Sequence, residues 1–306
     1  MSGGDVLQEA VSGVLLIDKP VGPSSNAVLQ RAKRLLGARR AGHTGTLDPL
    51  ASGLLVIALG EATKFSGGML DADKSYRALL KLGERTETGD AEGPVVSRAE
   101  VKVTRDELLA ALERYRGEIE QLPPRYAAIK HRGRPLYEYA RRGEHVARTA
   151  RRVAIRRLVL EKFAGDTVGL FVECSKGTYI RVLAEDIGAA LGCGAHLAAL
   201  ERTAVGPFAL EQSIRLEALE AILPAERRDR LLPLEALLQS WPRLTLEAPL
   251  AAKFRQGRAV PVDCASGGVA VFGQDGNFLG TGQVDPSGTL QPKRLLAPES
   301  APKTAC

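Results

Sequence analysis

The chain has 306 residues, of which 44% are hydrophobic and 25% are charged, and its formal net charge is +6. This length allows one large core, or one core with a smaller appended domain. No apolar run is long enough to cross a bilayer and the N-terminus lacks the pattern of a secretory signal, so we expect neither a membrane-spanning nor a secreted protein.

The first predicted elements are a helix and a buried strand. Ser24 or Ser25 can cap a helix whose apolar residues recur on one face, and Gly37 can end it. The run GLLVIALG, residues 53–60, is short, continuously apolar and preceded by a loop. Such a run is typical of a strand that is buried on both faces.

Between these two elements lies GHTGTLDPLASG, residues 42–53, in which Asp48 is the only carboxylate. An aspartate followed by proline is a common helix N-cap, and on spacing alone this is the simpler interpretation. The strand that follows leaves little room for a helix, however. The glycines at 42, 45 and 53 would allow something to approach the backbone closely, so a loop built to present Asp48 is the alternative.

Strands and helices follow without regular alternation. Residues 75–83 have the alternation of a half-buried strand, and residues 104–117 begin with the Thr-x-x-Glu spacing of a capping box, which predicts a helix. Residues 166–192 predict a strand, a tight turn and a helix that carries Tyr179 and Arg181 near its start. An arginine there is unfavourable for the helix dipole, which indicates a carboxylate or phosphate partner. The mixed order favours an α+β fold.

The positive charge is concentrated in residues 125–157. This segment has ten arginines and one lysine against two glutamates, a net charge of +9 that leaves −3 for the rest of the chain. Three tyrosines lie among these charges, and aromatic rings beside arginines suit stacking on bases as well as contact with phosphates. A solvated basic face is the alternative, but nucleic-acid binding is the better interpretation.

The C-terminal part of the sequence has a different pattern from the rest of the chain. Beyond residue 241, short extended runs separated by Asp-Gly and Pro-Ser-Gly turns predict a small β domain. The predicted divisions are a flexible tail over 1–11, a main domain over 12–238 with a basic arm at about 125–152, the β domain over 239–298 and a disordered tail over 299–306.

The four cysteines are too widely spaced for a zinc site or a disulfide framework, so we expect the protein to work in a reducing cytoplasm.

Six segments stand out as motifs: VLLIDKPVGPSSNAV, GHTGTLDPLASGLLVIALGEATK, DKSYRALLKLGERTETGD, PPRYAAIKHRGRPLYEYARRG, CSKGTYIRVLAEDIG and GAHLAALERTAVGPF. Together they resemble the successive motifs of the TruB family of bacterial tRNA pseudouridine-55 synthases. The likeness runs in order from about residue 13 to 210, and the C-terminal segment is similar in length and turn pattern to a PUA domain.

The resemblance implies a pseudouridine-synthase fold, with a central mixed, mainly antiparallel sheet flanked by helices and a small C-terminal β-barrel of the PUA type. It implies an isomerase that converts the uridine at position 55 in the T-loop of tRNA to pseudouridine without a cofactor or metal. It further implies a cytoplasmic monomer that binds the T-arm of tRNA and needs no protein partner.

The resemblance also assigns roles to residues. Asp48 would be the essential carboxylate, which either adds to C1′ of the ribose or removes the 2′ proton to form a glycal; both routes stay open. Arg181 would pair with Asp48 and keep it ionised, and Tyr76 would stack on the flipped uracil. Tyr179 and Leu200 would line the pocket. His43 would take the place of the extruded base, with Lys19 and Lys74 as supporting cations.

The arm would contact the RNA backbone through seven cations: Arg125, Lys130, Arg132, Arg141, Arg142, Arg151 and Arg152. Three positions depart from the family pattern without touching the implied catalytic core. Ser24 replaces the usual threonine, Ala127 replaces a serine that could contact RNA, and Glu201 replaces a basic residue.

Two other classes of function are weaker alternatives. A non-catalytic RNA-binding module could use the same basic surface, but binding alone has no use for a carboxylate paired with an arginine. A glycoside hydrolase would need two carboxylates flanking the scissile bond, and the motif loop supplies one.

Overall fold

The computed structural model describes residues 11–297 except 128, 132 and 145. Apart from Val11, the two predicted tails therefore lie outside the described residues. Within the described ranges, no helix combines the length and apolar character that a bilayer crossing would need.

The strands, in chain order, are β1 (Gly13–Lys19), β2 (Ala41–His43), β3 (Ala51–Leu59), β4 (Lys74–Leu82), β5 (Glu84–Thr86), β6 (Val95–Arg98), β7 (Gly117–Gln121), β8 (Lys130–His131), β9 (Arg134–Pro135), β10 (Arg151–Ala164), β11 (Thr167–Cys174), β12 (Ala195–Val205), β13 (Phe208–Ala209), β14 (Ile214–Arg215), β15 (Arg243–Leu246), β16 (Val260–Pro261), β17 (Gly267–Gly273), β18 (Phe278–Val284) and β19 (Thr289–Leu295).

The α-helices are α1 (Ser25–Leu35), α2 (Gly67–Leu70), α3 (Arg105–Glu113), α4 (Leu136–Arg141), α5 (Ile180–Ala190), α6 (Leu216–Ala221) and α7 (Ala248–Arg255). Short 3-10 helices cover Gly60–Lys64, Leu210–Gln212, Arg227–Arg230 and Leu234–Leu238.

Ten strands form the main sheet, in the order β14-β1-β3-β12-β4-β11-β10-β7, with β2 beside β3 and β13 beside β12. The pairs β1–β14 and β3–β12 are parallel, and the other pairs are antiparallel. Helices α1 and α6 pack on β1 and β3, whereas α3 and α5 pack on the half of the sheet that contains β4 and β10. The predicted α+β fold with a mixed, mainly antiparallel sheet is confirmed.

Strand β3 is apolar throughout because both of its faces are buried. Leu55 and Ile57 pack with Val28 of α1, while Leu54 and Val56 on the other face belong to a core shared with the C-terminal sheet. The prediction of a buried strand is confirmed.

The helix boundaries follow local capping chemistry. Ser24 is the N-cap of α1, because its Oγ accepts a hydrogen bond from the backbone N–H of Ala27 at 3.2 Å. Helix α3 has the predicted capping box of Thr104 and Glu107. It ends at Glu113, before the predicted end at residue 117, and Gly117 is the first residue of β7 instead.

The C-terminal sheet has the order β15-β17-β18-β19-β16, which confirms the predicted small β domain. It has a core of its own, to which α7 contributes the fully buried Phe254. It also packs on the main part of the chain: Phe278 shares a buried cluster with Leu54 of β3, and its ring lies edge-to-face with that of Phe65, after the 3-10 helix Gly60–Lys64, at a centroid distance of 5.1 Å.

The basic arm is an excursion between two paired strands, β7 and β10. It contains the β8–β9 hairpin and α4, and its ends are tied by a hydrogen bond of 2.8 Å from Nη1 of Arg148 to the carbonyl oxygen of Pro123. Arg151 and Arg152 were expected in the arm but lie in β10, where they pair in register with β7. The sheet therefore extends to both residues, and the excursion ends before Arg151.

Candidate active site

Asp48 lies in the turn that precedes β3. The backbone N–H of Ala51 donates to the carbonyl oxygen of Asp48 at 3.1 Å, which closes a turn around Pro49, and the strand begins at once. The helix-cap interpretation is therefore wrong, since no helix follows Asp48.

Buried polar groups hold this turn in place. Nζ of Lys19, which is fully buried, donates to the carbonyl oxygens of Ala51 at 2.6 Å and Pro20 at 2.8 Å. Burial lowers the pKa of Lys19 to about 8. On the other side, Oγ of Ser25 donates to the carbonyl oxygen of Leu47 at 2.9 Å and accepts from its N–H at 2.7 Å. The start of α1 and the end of β1 thus fix the position of the carboxylate.

The three glycines of the loop have different surroundings. Gly53 has φ of +98°, and a Cβ there would lie 2.4 Å from the backbone oxygen of Arg202. At Gly45, which has φ of +152°, a Cβ would lie 3.4 Å from Nη1 of the same arginine, whereas nothing lies within 4 Å at Gly42. The expected close approach to the backbone therefore occurs at Gly53, where the neighbour is the backbone of Arg202; at Gly45 the Arg202 side chain is at ordinary contact distance.

Arg181 lies in the first turn of α5, and its side chain is only 6% exposed. Its Nη2 lies 3.1 Å from Oδ2 of Asp48, and its Nη1 lies 3.4 Å from Oδ2 of Asp90. The guanidinium is therefore placed between two carboxylates, which offsets the unfavourable position of a cation at a helix start.

Backbone oxygens complete this arrangement. Arg181 donates to the carbonyl oxygens of Thr88 at 3.2 Å and Tyr126 at 2.9 Å. Oδ1 of Asp90 accepts from Oγ1 of Thr88 at 2.5 Å and from the N–H of Glu92 at 3.1 Å. The sequence gives little sign of the role of Asp90, because an aspartate after glycine in GERTETGD is equally typical of a turn.

Opposing influences act on the Asp48 carboxyl. Burial raises its pKa and is the largest influence, while the charges of Arg181 and Lys19 lower it; the net result is a raised pKa. Arg181 acts in the direction that a paired cation should, but the effect of burial on the pKa is larger than that of the ion pair.

The Asp48–Arg181 pair opens onto a cleft of about 330 Å³. This volume lies within the range of about 300–1,000 Å³ found for small-molecule sites. Of the residues expected in the pocket, five line the cleft along with Asp48: Lys74, Tyr76, Tyr179, Arg181 and Leu200. Ala127 and Ile129 at the base of the arm close one side of it.

Each lining side chain is fixed by its element. Tyr76 is 9% exposed on β4, and burial raises the pKa of its hydroxyl. Tyr179 is the N-cap residue of α5, and its backbone N–H and carbonyl both bond to the Gln121 side chain, at 2.9 and 3.2 Å. Lys74 donates to the carbonyl oxygens of Leu70 at 2.9 Å and Ala72 at 2.5 Å, so its ammonium group mainly stabilises the turn just before β4.

Two expected site residues do not line the cleft. Lys19 lies beneath the Asp48 turn. His43 lies on β2, and its buried Nδ1 has no hydrogen-bond partner among the described residues. Burial lowers the pKa of His43, which favours the neutral imidazole. His43 therefore has a buried ring nitrogen without a hydrogen-bond partner among the described residues, close to the loop that carries Asp48.

The cations of the arm are described in part. Arg142, Arg151 and Arg152 are exposed and Arg125 is half-buried. Arg132, together with the side chains of Lys130 and Arg141, lies outside the described part of the chain. The arm is linked to the cleft because Tyr126, at its base, is the residue whose carbonyl oxygen binds Arg181.

The arrangement suits chemistry that uses a single carboxylate. Asp48 has 43% of its side chain exposed, whereas the side chain of Asp90 is 5% exposed and does not line the cleft. A glycoside hydrolase would need both carboxylates to flank its substrate, so this alternative finds no support. In the described ranges, no group of three or more His, Cys, Asp or Glu side chains could hold a metal ion.

Family models match nearly the whole chain. The model described as "TruB family pseudouridylate synthase (N terminal domain)" matches residues 33–180. Two further models, "tRNA pseudouridylate synthase B C-terminal domain" and "Pseudouridine synthase II TruB, C-terminal", match residues 181–239 and 242–296.

Curated relatives and solved structures agree with these matches. The tRNA pseudouridine synthase B of Aromatoleum aromaticum is 53% identical over 94% of this chain and 93% of its own, and that of an Azoarcus species is 55% identical over 95% and 96%. A structure titled "Crystal Structure of a Cbf5-Nop10-Gar1 Complex" matches with a TM-score of 0.73 and 28% identity, over 94% of this chain and 85% of that one.

Proposed function

Since the chain belongs to the TruB family and is an isomerase that forms pseudouridine in tRNA, we propose that its target is uridine 55 in the T-loop and that Asp48 is the essential carboxylate. One observation carries the assignment of Asp48: a partly exposed carboxylate meets the buried Arg181 at 3.1 Å at the edge of a nucleoside-sized cleft. Binding to RNA would not require this pair.

Substrate binding begins with extrusion of the uridine, because its reacting atoms are inaccessible in a folded loop. Flipping costs a few kcal/mol, which stacking and backbone contacts offset. Tyr76, buried on the floor of the cleft, is the residue against which the uracil stacks. His43, next to the loop, occupies the space that the base leaves.

The reaction is an isomerisation and therefore needs no further reactant. The N1–C1′ bond breaks, the uracil turns within the cleft and a C5–C1′ bond forms; C5 loses its proton and N1 gains one. Asp48 acts at the ribose, by adding to C1′ or by removing the 2′ proton, and both routes use the same carboxylate. Arg181 keeps this group charged and oriented.

The rest of the molecule holds the RNA. The exposed arginines of the arm and of the adjoining end of β10 contact phosphates of the T-arm, and the C-terminal PUA-like domain contacts more distant RNA. The divisions at about residues 238 and 298, the monomeric state, the lack of a cofactor and the cytoplasmic location belong to the same proposal.

The test uses a T-arm stem-loop labelled with tritium at C5 of its uridines. We expect release of one tritium for each stem-loop, and none when cytidine replaces uridine 55. Binding of the stem-loop without tritium release would contradict the proposal and support the alternative of a non-catalytic RNA-binding module. Release that persists with cytidine at position 55 would show that the target is another uridine.

A further inference from the structure

Arg202 is a buried cation to which neither the sequence nor the mechanism above assigns a role. It is 2% exposed, and no carboxylate of the described residues lies within ion-pair distance of it. Burying a charge without a counter-ion is unfavourable, so hydrogen bonds to other groups must compensate for it.

The partners of Arg202 are backbone carbonyl oxygens around Asp48. Nε donates to Leu54 at 2.8 Å, Nη2 donates to Gly45 at 3.1 Å and Nη1 donates to Thr46 at 3.5 Å. The first of these oxygens lies on β3, and the other two lie in the loop that leads to the carboxylate. One planar guanidinium thus joins both ends of the catalytic turn.

The location of Arg202 coincides with a break in the main sheet. Along the same edge of β3, Ala51–Gly53 pairs with β12, whereas Ile57–Leu59 pairs with β2. Arg202 is the last residue of β12 that pairs with β3, and its side chain crosses the gap that opens where β12 and β2 separate. Neither β12 nor β2 pairs with β3 in this gap, so the guanidinium of Arg202 donates to the carbonyl oxygen of Leu54 in place of a neighbouring strand.

Arg202 also reaches the other side of the cleft. It lies opposite Tyr76 in the β12–β4 register, so both side chains stand on one face, and both line the cleft. The charge of Arg202 lowers the pKa of the Tyr76 hydroxyl, although burial raises it more. Arg202 therefore contacts both the loop that carries Asp48 and the ring expected under the uracil.

We propose that Arg202 is a positioning residue for the isomerisation, which fixes the Gly45–Asp48 loop and Tyr76 relative to each other. This inference rests on the proposed function. Arginine suits the role because its rigid planar fork places donors on three separate nitrogens, whereas the donors of lysine all share one nitrogen on a flexible stem. A shift of about 1 Å between reacting groups can cost about 100-fold in rate, so loss of the fork is expected to affect turnover more than binding.

The test compares Arg202→Lys with Arg227→Lys. Arg227 is a matched control, because it also donates to three carbonyl oxygens, those of Leu35, Glu220 and Ile222 at 3.0–3.1 Å, but next to α1 and α6. We expect the Arg202 variant to bind tRNA within about two-fold of wild type and to lose about 10- to 100-fold in single-turnover tritium release. The Arg227 variant is expected to keep the wild-type rate.

Arg202→Gln provides a second variant if the lysine variant does not fold. Glutamine removes the costly buried charge and keeps one donor, so the same slow turnover is expected from a protein with a native circular dichroism spectrum. A wild-type single-turnover rate in either folded variant would overturn the proposal, as would an equal loss in both Arg202→Lys and Arg227→Lys. Absence of tritium release by the wild-type enzyme would instead contradict the proposed function.

Discussion

At the scale of single residues, the site is organised around Arg181. Its buried guanidinium contacts Asp48, which faces the cleft, and Asp90, which does not. The two carboxylates therefore lie in different surroundings: Asp48 is open to a ligand in the cleft, whereas Asp90 only pairs with the arginine. Burial raises the pKa of Asp48, which makes its carboxylate a stronger base than an exposed one.

Asp48→Asn and Asp90→Asn should have opposite effects on stability. The pKa of Asp48 is raised in the folded state, so the protein loses stability as the pH rises through that pKa and the carboxyl ionises. Asparagine cannot ionise, so the variant avoids this loss of stability at pH 7. We expect the melting temperature of Asp48→Asn to equal or exceed that of wild type. Asp90→Asn breaks a buried ion pair, which typically costs about 3–5 kcal/mol. Calorimetry that shows equal losses in both variants would contradict this account.

The sequence reveals the residues that belong to distinctive motifs but not those whose role depends on burial. Asp48 and Arg181 stand in motifs specific enough to imply their pairing. In the sequence, Arg202 follows Glu201 and resembles an exposed charge on a strand. It is buried because its side chain lies where β12 and β2 separate, and the sequence does not show that separation. The spaces beside Gly45 and Gly53 are likewise set by a residue about 150 positions away, which no local pattern reports.

At the scale of elements, strand β3 is fixed by the close approach of β12. The two strands meet at Gly53, where the backbone of Arg202 occupies the place of a side chain. The apolar pattern of β3 predicts its burial correctly. The pattern cannot predict this contact, because the parallel neighbour comes from a distant part of the chain.

Gly53→Ala should destabilise the protein, and Gly42→Ala is its matched control. An alanine Cβ at 53 would meet backbone at 2.4 Å and would adopt an unfavourable φ of +98°, whereas nothing lies within 4 Å of a Cβ at 42. Overpacking and backbone strain each cost about 1–3 kcal/mol. Urea titration should show this loss for Gly53→Ala and less than about 0.5 kcal/mol for Gly42→Ala. Equal midpoints would refute the assigned contact.

The arm and β10 should carry the salt dependence of tRNA binding. Arg151→Glu with Arg152→Glu removes two exposed cations where β10 meets the arm, so affinity should fall and the slope of log K against log salt should flatten by about two. Lys102→Glu, on an exposed side chain before α3, is the control. Filter binding at several salt concentrations measures both slopes. An unchanged slope in the double variant would mean that this surface does not meet phosphates.

At the scale of the whole molecule, the two sheets share a core. Phe272 and Phe278 of the C-terminal sheet belong to the same buried cluster as Val14, Leu54 and Phe65 of the main part. Composition and turn patterns predict the small C-terminal sheet correctly. The shared cluster was not predicted, because one apolar stretch does not show which other stretch it packs against.

Phe278→Ala should therefore destabilise the entire chain. Its ring is 6% exposed and contacts aromatic rings from both parts, so truncation should cost about 3–5 kcal/mol. We expect calorimetry to show one transition in wild type and one, at a lower temperature, in the variant. Two resolved transitions, of which only one shifts, would show that the sheets unfold independently.

Tritium release by Asp48→Asn tests the central claim most directly, with Asp166→Asn as the control on the surface. Asparagine keeps the shape of the side chain but removes the charge that the reaction requires. The account predicts that Asp48→Asn binds the T-arm stem-loop within a few-fold of wild type and releases no tritium, while Asp166→Asn keeps full activity. Measurable turnover by Asp48→Asn would contradict it.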